Sequence, residues 1–495
     1  MRVLIFHGYL LAGTGSNVYN ASLAQALRGL GHEVHLLCQD RDAAALPWVG
    51  GEGPGSVTVH VPDIGGLLPV FVDDRYEGFE VKTFPELSEE ELGRYLDANV
   101  AAVRGVVEAV GEPDAALANH LIMGPVILAR AGLRYAIKVH GSDLSYTVRP
   151  HPERFVPFAR EGLAGATGVL VGSRHTAEDL WATIPDPDLP QRTRLGPPGV
   201  DVGRFRVRER DEALSGVGAL ADRLATAAAE GAFGRDGPEA AEAVRGWSQG
   251  DPRVLFVGKL LVNKGVDLLV AAWPLVRRRH LGATLLLAGF GAYRPGVEAL
   301  FAALGAGDLE AAREVATQGR SYEGGEPGPL PILSAFLADP PERYAEAARE
   351  AVGSVRISGR LEHDEVAEVM PAADVLVMPS TFPEAFGMVA AEGAACGVAP
   401  VSADHSGMRE VSSRLAAALE PELAPLLSFD VGPGAVEELA ARIGGWLSLD
   451  RRERERVRRS LAARVAELWS WERVAGDVLS ASRGELSSLA PVVSD

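Results

Sequence analysis

The feature that most constrains the fold is an alternation of short apolar runs with stretches of helical period, repeated along most of the chain. Val3 to Phe6 is followed by a Gly-containing turn, then by "NVYNASLAQALRGLG", then by a second apolar run, "EVHLLC". A strand buried on both faces reads as a continuous apolar run, and joining two such strands in parallel takes a helical crossover. The pattern therefore predicts a βαβ unit, with Gly31 closing its helix. "AALANHLIMGPVILARAG", "YAIKVHGSDL" and "TGVLVGSRHTAEDLWATI" continue the series, each strand ending in a polar or Gly turn before a helix. Such a chain winds on both faces of a parallel sheet, and its ligands gather at the carboxyl ends of the strands.

"RLGPPGVDVGRF" at 194–205 is rich in Pro and Gly, as a crossing between domains is. A second series follows: "RVLFVGKLLVNKGVDLLVAAWPLV", "ATLLLAGFG", "SVRISGRL", "ADVLVMPS" and "APVSA". The chain has 495 residues, more than one ordinary core accommodates. The expected fold class is α/β, with two Rossmann-like doubly wound domains, 1–205 and 206–470, and a terminal segment at 471–495. Residues 207–252 read as exposed helices before the next strand. Residues 314–343, inside a variable stretch at 296–352, read as a long loop, either a lid or disordered.

Composition narrows the function. The net charge of −19 argues against nucleic acid as a partner and against a broadly basic membrane-docking face. No window approaches 18 uninterrupted apolar residues, so no transmembrane segment is expected, and the N-terminus reads as a first strand rather than a signal peptide. Cys38 and Cys396 lie far apart in apolar segments, which predicts core thiols in a reducing cytoplasm. Asp73 with Asp74, and Asp186 with Asp188, resemble metal-binding pairs but sit in turn-like contexts without a third ligand. No metal site and no resident cofactor are expected.

Three stretches carry candidate chemistry. Gly13 and Gly15, after the first strand and before a helix, could let backbone N–H groups approach a phosphate. Val18 stands where a dinucleotide fingerprint needs its third glycine, and Gln39 and Asp40 do not end the second strand as a ribose-binding acid would. The chain has 44 Arg and only 4 Lys, yet two of those lysines, Lys259 and Lys264, share the loop "GKLLVNKG" after a strand. Two ammonium groups there can bracket a diphosphate. In "STFPEAFGMVAAEGAAC", Glu384 precedes a helix whose first-turn amides near Phe386, Gly387 and Met388 suit an anion. Glu392 lies further in among small residues, where a carboxylate needs a donor: a neighbouring Arg or a pair of sugar hydroxyls. His140, in "VHGSDL", ends a strand of the first series, as do Asn119 and His120.

Taken together, these residues resemble glycosyltransferase family 4, the retaining group with the GT-B fold. The resemblance rests on Gly13 and Gly15, "HGSD" at 140–143, "PPGVD" at 197–201, Lys259 and Lys264, and "AGFG" at 288–291. It rests above all on "PEAFGMVAAEGAACGVAPVSADHSGMREV" at 383–411. It implies two domains facing a cleft, a terminal helix crossing back to the first, and transfer of a sugar from a nucleotide-diphosphate donor, UDP- or GDP-linked, to an acceptor hydroxyl. The acceptor could be a small molecule, a glycan or lipid-linked. It further implies His140, Lys259, Lys264 and Glu384 as catalytic residues. Gly13, Gly15, Gly291, Gly387, Met388, Val389 and Glu392 become donor-binding residues. Within that pattern Glu392 holds the donor ribose, Glu384 meets sugar hydroxyls, the lysines bind the diphosphate, and His140 sits near the donor sugar. Position 259 is Lys where the family more often has Arg, and the N-terminal loop is Gly-Thr-Gly rather than a pair of adjacent glycines. Two other classes remain open at this level: a noncatalytic nucleotide or sugar binder on the same scaffold, and a nicotinamide-linked oxidoreductase.

Overall fold

The computed structural model describes residues 1–11, 15–50, 53–71, 78–227 and 236–492. The chain divides into two units, Met1–Gly199 together with Trp469–Asp495, and Val200–Leu468.

In the first unit the strands are β1 (Arg2–Phe6), β2 (Glu33–Leu37), β3 (Ser56–His60), β4 (Leu67–Val70), β5 (Glu80–Thr83), β6 (Ala115–Asn119), β7 (Tyr135–Val139), β8 (Ala166–Val171) and β9 (Thr193–Leu195). Among the described residues, seven of them form one parallel sheet in the order β3-β2-β1-β6-β7-β8-β9. β4 and β5 pair separately, a small sheet that the turn-rich sequence at 41–85 does not announce. Successive side chains of β1 leave opposite faces. Leu4 and Phe6 join Tyr95, Val103 and Ile127 in one core, while Val3 and Ile5 join Tyr19, Leu23 and Leu27 in the other. The helix Trp471–Arg483 completes that second core with Trp471, Val474, Ala475 and Val478.

The second unit contributes β10 (Arg253–Val257), β11 (Thr284–Ala288), β12 (Val355–Gly359), β13 (Val375–Met378), β14 (Ala399–Ala403) and β15 (Ser428–Phe429). They form a parallel sheet in the order β12-β11-β10-β13-β14-β15. In both sheets the winding direction reverses once, between β1 and β6 and between β10 and β13. At such a switch point the loops leaving the two strands diverge and open a crevice.

Two expectations need correction. Residues 207–252 are not simply exposed helices: the helices Arg210–Ala225 and Gly237–Ser248 bury Val217, Leu220, Leu224, Val244 and Trp247. Ala213, Val217, Leu220, Ala221 and Leu224 recur at helical spacing, so the Ala-rich sequence conceals one apolar stripe. The indole of Trp247 donates to Val254 O at 2.9 Å, tying these helices to β10. Residues 314–343 are not one long loop either. The helix Leu309–Gln318 runs into them, and a short 3₁₀ turn at Arg320–Glu323 and the helix Pro331–Ala338 follow. Pro331 takes the first helical position, where the missing N–H costs nothing, so a Pro read as a loop signal starts a helix instead.

Candidate active site

The switch point of the second sheet builds the larger constellation. β10 ends into Gly258 and Lys259, and a 3₁₀ turn at Val262–Lys264 follows. Gly265 then enters the helix Val266–Arg279 with a φ of 64°, and a Cβ there would lie 2.0 Å from Pro379 O. Only glycine lets the basic loop come this close to the chain leaving β13. The contact is sealed by Thr381 N–H donating to Asn263 O at 2.9 Å. On the other side of the loop, Leu260 N–H donates to Phe290 O at 2.7 Å. A Cβ at Gly291 would lie 2.4 Å from Leu260 O, so Gly291 serves the packing of two loops.

This geometry brings together residues 120 positions apart in the chain: the Lys264 ammonium is ion-paired with Glu384 Oε1. Ser380 Oγ donates to the same Glu384 oxygen at 3.0 Å. Glu384 N–H donates to Ser406 Oγ at 2.9 Å, and Glu384 O accepts from Gly407 N–H at 2.9 Å. His405 Nε2 lies 2.8 Å from Ser380 O and Nδ1 lies 3.1 Å from Ser406 Oγ. A carbonyl can only accept, so Nε2 carries a proton towards Ser380 O. Glu384 is therefore held through both its main chain and its side chain. Lys259 is exposed on the same loop.

Gly387, with a φ of 107°, caps the helix Met388–Ala395. The N–H groups of Met388 and Val389 open its first turn, where the α-helical pattern supplies no acceptor. Glu392 follows one turn on, with 5% of its surface exposed. Its partner is His363, whose Nε2 donates to Glu392 Oε1 at 2.8 Å. An Arg was the structural partner expected for Glu392, and a His stands there instead. His363 begins the helix His363–Val369, and its ring packs on Phe205 with centroids 4.9 Å apart. Partial burial pulls the imidazole pKa down, but the hydrogen bond and charge of Glu392 outweigh it and the net direction is up.

The switch point of the first sheet holds a second polar cluster. His7 leaves β1, Asn119 and His120 leave β6, and His140 leaves β7. His140 Nε2 donates to Asn119 Oδ1 at 2.6 Å, and Asn119 Nδ2 donates to His7 Nδ1 at 2.8 Å. His7 Nε2 in turn donates to Leu10 O at 2.8 Å and to Asn17 Oδ1 at 3.1 Å. Burial, with the nearby His120, Lys138 and His7, drives the His140 pKa well down, and burial takes His7 and His120 down to about 3. These rings are neutral at physiological pH; His7 and His140 are hydrogen-bonded, whereas both ring nitrogens of the buried His120 have no hydrogen-bond partner. Asp143 accepts from the N–H groups of Gly141 and Leu144 at 3.1 and 3.0 Å, and from that of Leu121. It thereby locks the turn that carries His140.

The remaining candidates are placed as follows. Gly15 is exposed at the start of the helix Gly15–Gly29, and Gly13 lies outside the described residues, as do Asp73 and Asp74. Asp188 N–H donates to Asp186 Oδ1 at 2.9 Å, a turn closed on itself. Among the described residues no group of three or more His, Cys, Asp or Glu could hold a metal ion. No described helix is long and apolar enough to cross a membrane. Cys38 and Cys396 are buried free thiols. The sequence alone does not mark His363, Ser380, His405 or Ser406. "DHSG" follows the glutamate segment at 404–407, but no local signal there tells which distant N–H Ser406 will meet.

The family profile described as "Glycosyl transferase 4-like domain" matches residues 14–189, and profiles of "Glycosyl transferases group 1" match residues 251–319 and 341–460. The chain belongs to the group 1 glycosyltransferases. This family member is 26% identical over 295 residues to a Mycobacterium tuberculosis glycogen synthase, a match spanning 57% of this chain and 58% of that protein's length. It is 24% identical over 407 residues to a D-inositol 3-phosphate glycosyltransferase of Xylanimonas cellulosilytica, covering 80% of this chain and 77% of that protein. Among solved structures, Anabaena HepE in complex with UDP aligns over 99% of this chain and 100% of its own, with a TM-score of 0.56 and 15% identity. A glycosyltransferase from Rickettsia africae aligns over 98% of each chain, with a TM-score of 0.56 and 13% identity. At those identities the likeness is one of fold, and the fold of this group 1 chain is GT-B.

Proposed function

We propose that the chain transfers a sugar from a nucleotide-diphosphate donor to an acceptor hydroxyl with retention at the anomeric carbon. The observation that carries the reading is the Lys264–Glu384 ion pair at the switch point of the second sheet, next in sequence to the amides that open the helix Met388–Ala395. A cation and first-turn amides suit a diphosphate, while the carboxylate, held from two sides, suits hydroxyl groups of the attached sugar. In this reading Lys259 and Lys264 bind the diphosphate with the amides of Gly387, Met388 and Val389. Glu392 accepts from the ribose hydroxyls, and Glu384 accepts from the transferred sugar. A UDP- or GDP-sugar is the favoured donor. UDP is the nucleotide in the HepE complex of the same fold, and both pyrimidine- and purine-linked donors present the same diphosphate and ribose to these residues.

The transfer step breaks the bond between the anomeric carbon and the diphosphate oxygen and forms one to the acceptor oxygen on the same face. The acceptor proton passes to the departing phosphate oxygen, whose charge Lys259 and Lys264 offset. For the first unit we propose that the neutral cluster edged by His140 presents hydrogen-bonding groups to sugar hydroxyls.

Release of free sugar from UDP-, GDP-, ADP- and TDP-glucose, with thermal shift by each nucleotide, tests the reading. Turnover of at least one donor, lost in Glu384→Gln, is expected. A flat response to all four donors and nucleotides, or stabilisation by NAD alone, would overturn it.

A further inference from the structure

The matched family segments end at residue 319 and resume at 341, so residues 320–340 belong to neither. That stretch begins with an ordered, closed turn. Gly319 and Gly328 form a parallel bridge, Arg320 N–H donates to Gly328 O at 3.1 Å, and Gly324 N–H donates to Ser321 O at 3.0 Å. The turn is anchored from the side, where the Tyr322 ring meets the edge of the fully buried Tyr293 with centroids 6.4 Å apart. Tyr293 itself is fastened to the basic loop by its N–H to Leu260 O at 3.0 Å.

At the tip of this turn the half-buried Glu323 places Oε1 2.8 Å from the N–H of Val262. Val262 opens the 3₁₀ turn Val262–Lys264, so its N–H has no acceptor within that turn. Glu323 thus satisfies the main chain of the loop that carries both Lys259 and Lys264. The side-chain oxygen of Glu323 is the acceptor that this N–H would otherwise lack, and it sets the phase of a turn whose last residue must meet Glu384.

We propose that Glu323 is a positioning residue for the donor-phosphate loop, supplied by a segment that neither matched family profile covers. The inference rests on the donor-site reading above and deepens it. Glu323 acts through Val262 on the orientation of Lys264, and its hydrogen-bond acceptor rather than its charge is what the loop requires.

The test compares Glu323→Ala and Glu323→Gln with the wild-type chain, using UDP and GDP as ligands and a responsive nucleotide sugar as substrate. Glu323→Ala is expected to raise the nucleotide Kd and the donor KM about tenfold, with kcat changed less than threefold. Glu323→Gln, which keeps a carbonyl acceptor, should stay within threefold of wild type in both. Amide exchange of residues 259–264, read by mass spectrometry without ligand, should quicken in Glu323→Ala and stay unchanged in Glu323→Gln. Unchanged exchange in Glu323→Ala overturns the positioning role whatever the chain binds. Equal damage from both substitutions overturns the claim that the acceptor matters. If exchange quickens but the wild-type chain binds neither nucleotide, the positioning role stands and the donor-site reading falls.

Discussion

His363 Nε2 and Glu392 Oε1 lie 2.8 Å apart, and this contact gives a carboxylate buried among Ala390, Ala391 and Ala394 its donor. The His363 side chain is 41% exposed, so the pair is open to water on one side only. Replacing His363 with Ala leaves the carboxylate in place but without its donor, and a hydrogen bond to a charged group is worth about 1.5–3 kcal/mol when buried. Exposure of the imidazole places the expected effect at the low end, about a tenfold rise in nucleotide Kd by calorimetry.

The same pair predicts a pH dependence. The folded-state pKa of His363 is raised above its unfolded value of 6.5. The stability it contributes is therefore fully present below pH 6.5 and is lost as pH rises through the raised value. The difference in melting temperature between wild type and His363→Ala should shrink from pH 6 towards pH 8. A constant difference across that range would show that the imidazolium charge plays no part.

Glu384 and Glu392 predict separable phenotypes. Glu384 is tied to Lys264 and Ser380 at the loop, while Glu392 is one turn inside the helix against His363. Glu392→Ala should mainly weaken donor binding, and Glu384→Ala should mainly slow transfer, by about a hundredfold or more in kcat. Steady-state kinetics with the donor varied measures both; equal effects on donor affinity would refute the division.

How far the sequence alone reaches is clear from these residues. The repeated strand-turn-helix pattern predicts two parallel sheets, because a strand buried on both faces has no polar side to hide. Lys264 and Glu384 are each marked in the sequence, but their pairing is not: it follows from the strand order, which sets the ends of β10 and β13 side by side at a switch point. The partner of Glu392 is not legible either. His363 opens a helix in "EHDEV", which reads as an ordinary acidic cap, and only tertiary packing on Phe205 turns it towards the carboxylate. Glu323 is hidden for a different reason: its local sequence, "SYEGGEPG", signals turns, and nothing in a turn signal says which distant N–H it will meet. The hydrogen-bonded order of His7, Asn119 and His140 is likewise set by the sheet, not by spacing.

Lys138 predicts a second pH effect, of opposite sign to that of His363. It lies inside β7 at 2% exposure, donates to Gly196 O at 2.6 Å, and has its ammonium 5.3 Å from the Tyr19 ring centroid. Burial takes its pKa from 10.5 down to about 7, against the pull of Asp143. Between those values the unfolded chain binds a proton that the folded chain lacks, so stability rises with pH from about 7 towards 10. Lys138→Met fills similar space without a charge and should remove that slope in melting curves recorded between pH 7 and 10.

Gly265→Ala tests whether the basic loop must approach β13 as closely as it does. The added Cβ would fall 2.0 Å from Pro379 O, a backbone atom that cannot swing aside, at a φ of 64° where side chains are strained. Either the loop or the chain after β13 must move, and both carry residues of the proposed donor site. A substitution at an incompatible backbone conformation costs about 1–3 kcal/mol, and the clash adds to it. The expected outcome is a melting temperature lowered by several degrees, together with a nucleotide Kd raised about tenfold or more as Lys264 and Glu384 lose their register. Gly132→Ala, in the first unit and away from the basic loop, provides the control. Gly132 also has a positive φ, 85°, but nothing lies within 4 Å of its added Cβ. It should show the strain cost alone and leave nucleotide affinity within about twofold of wild type. If Gly265→Ala lost stability but kept its affinity, the close approach would serve the fold rather than the site.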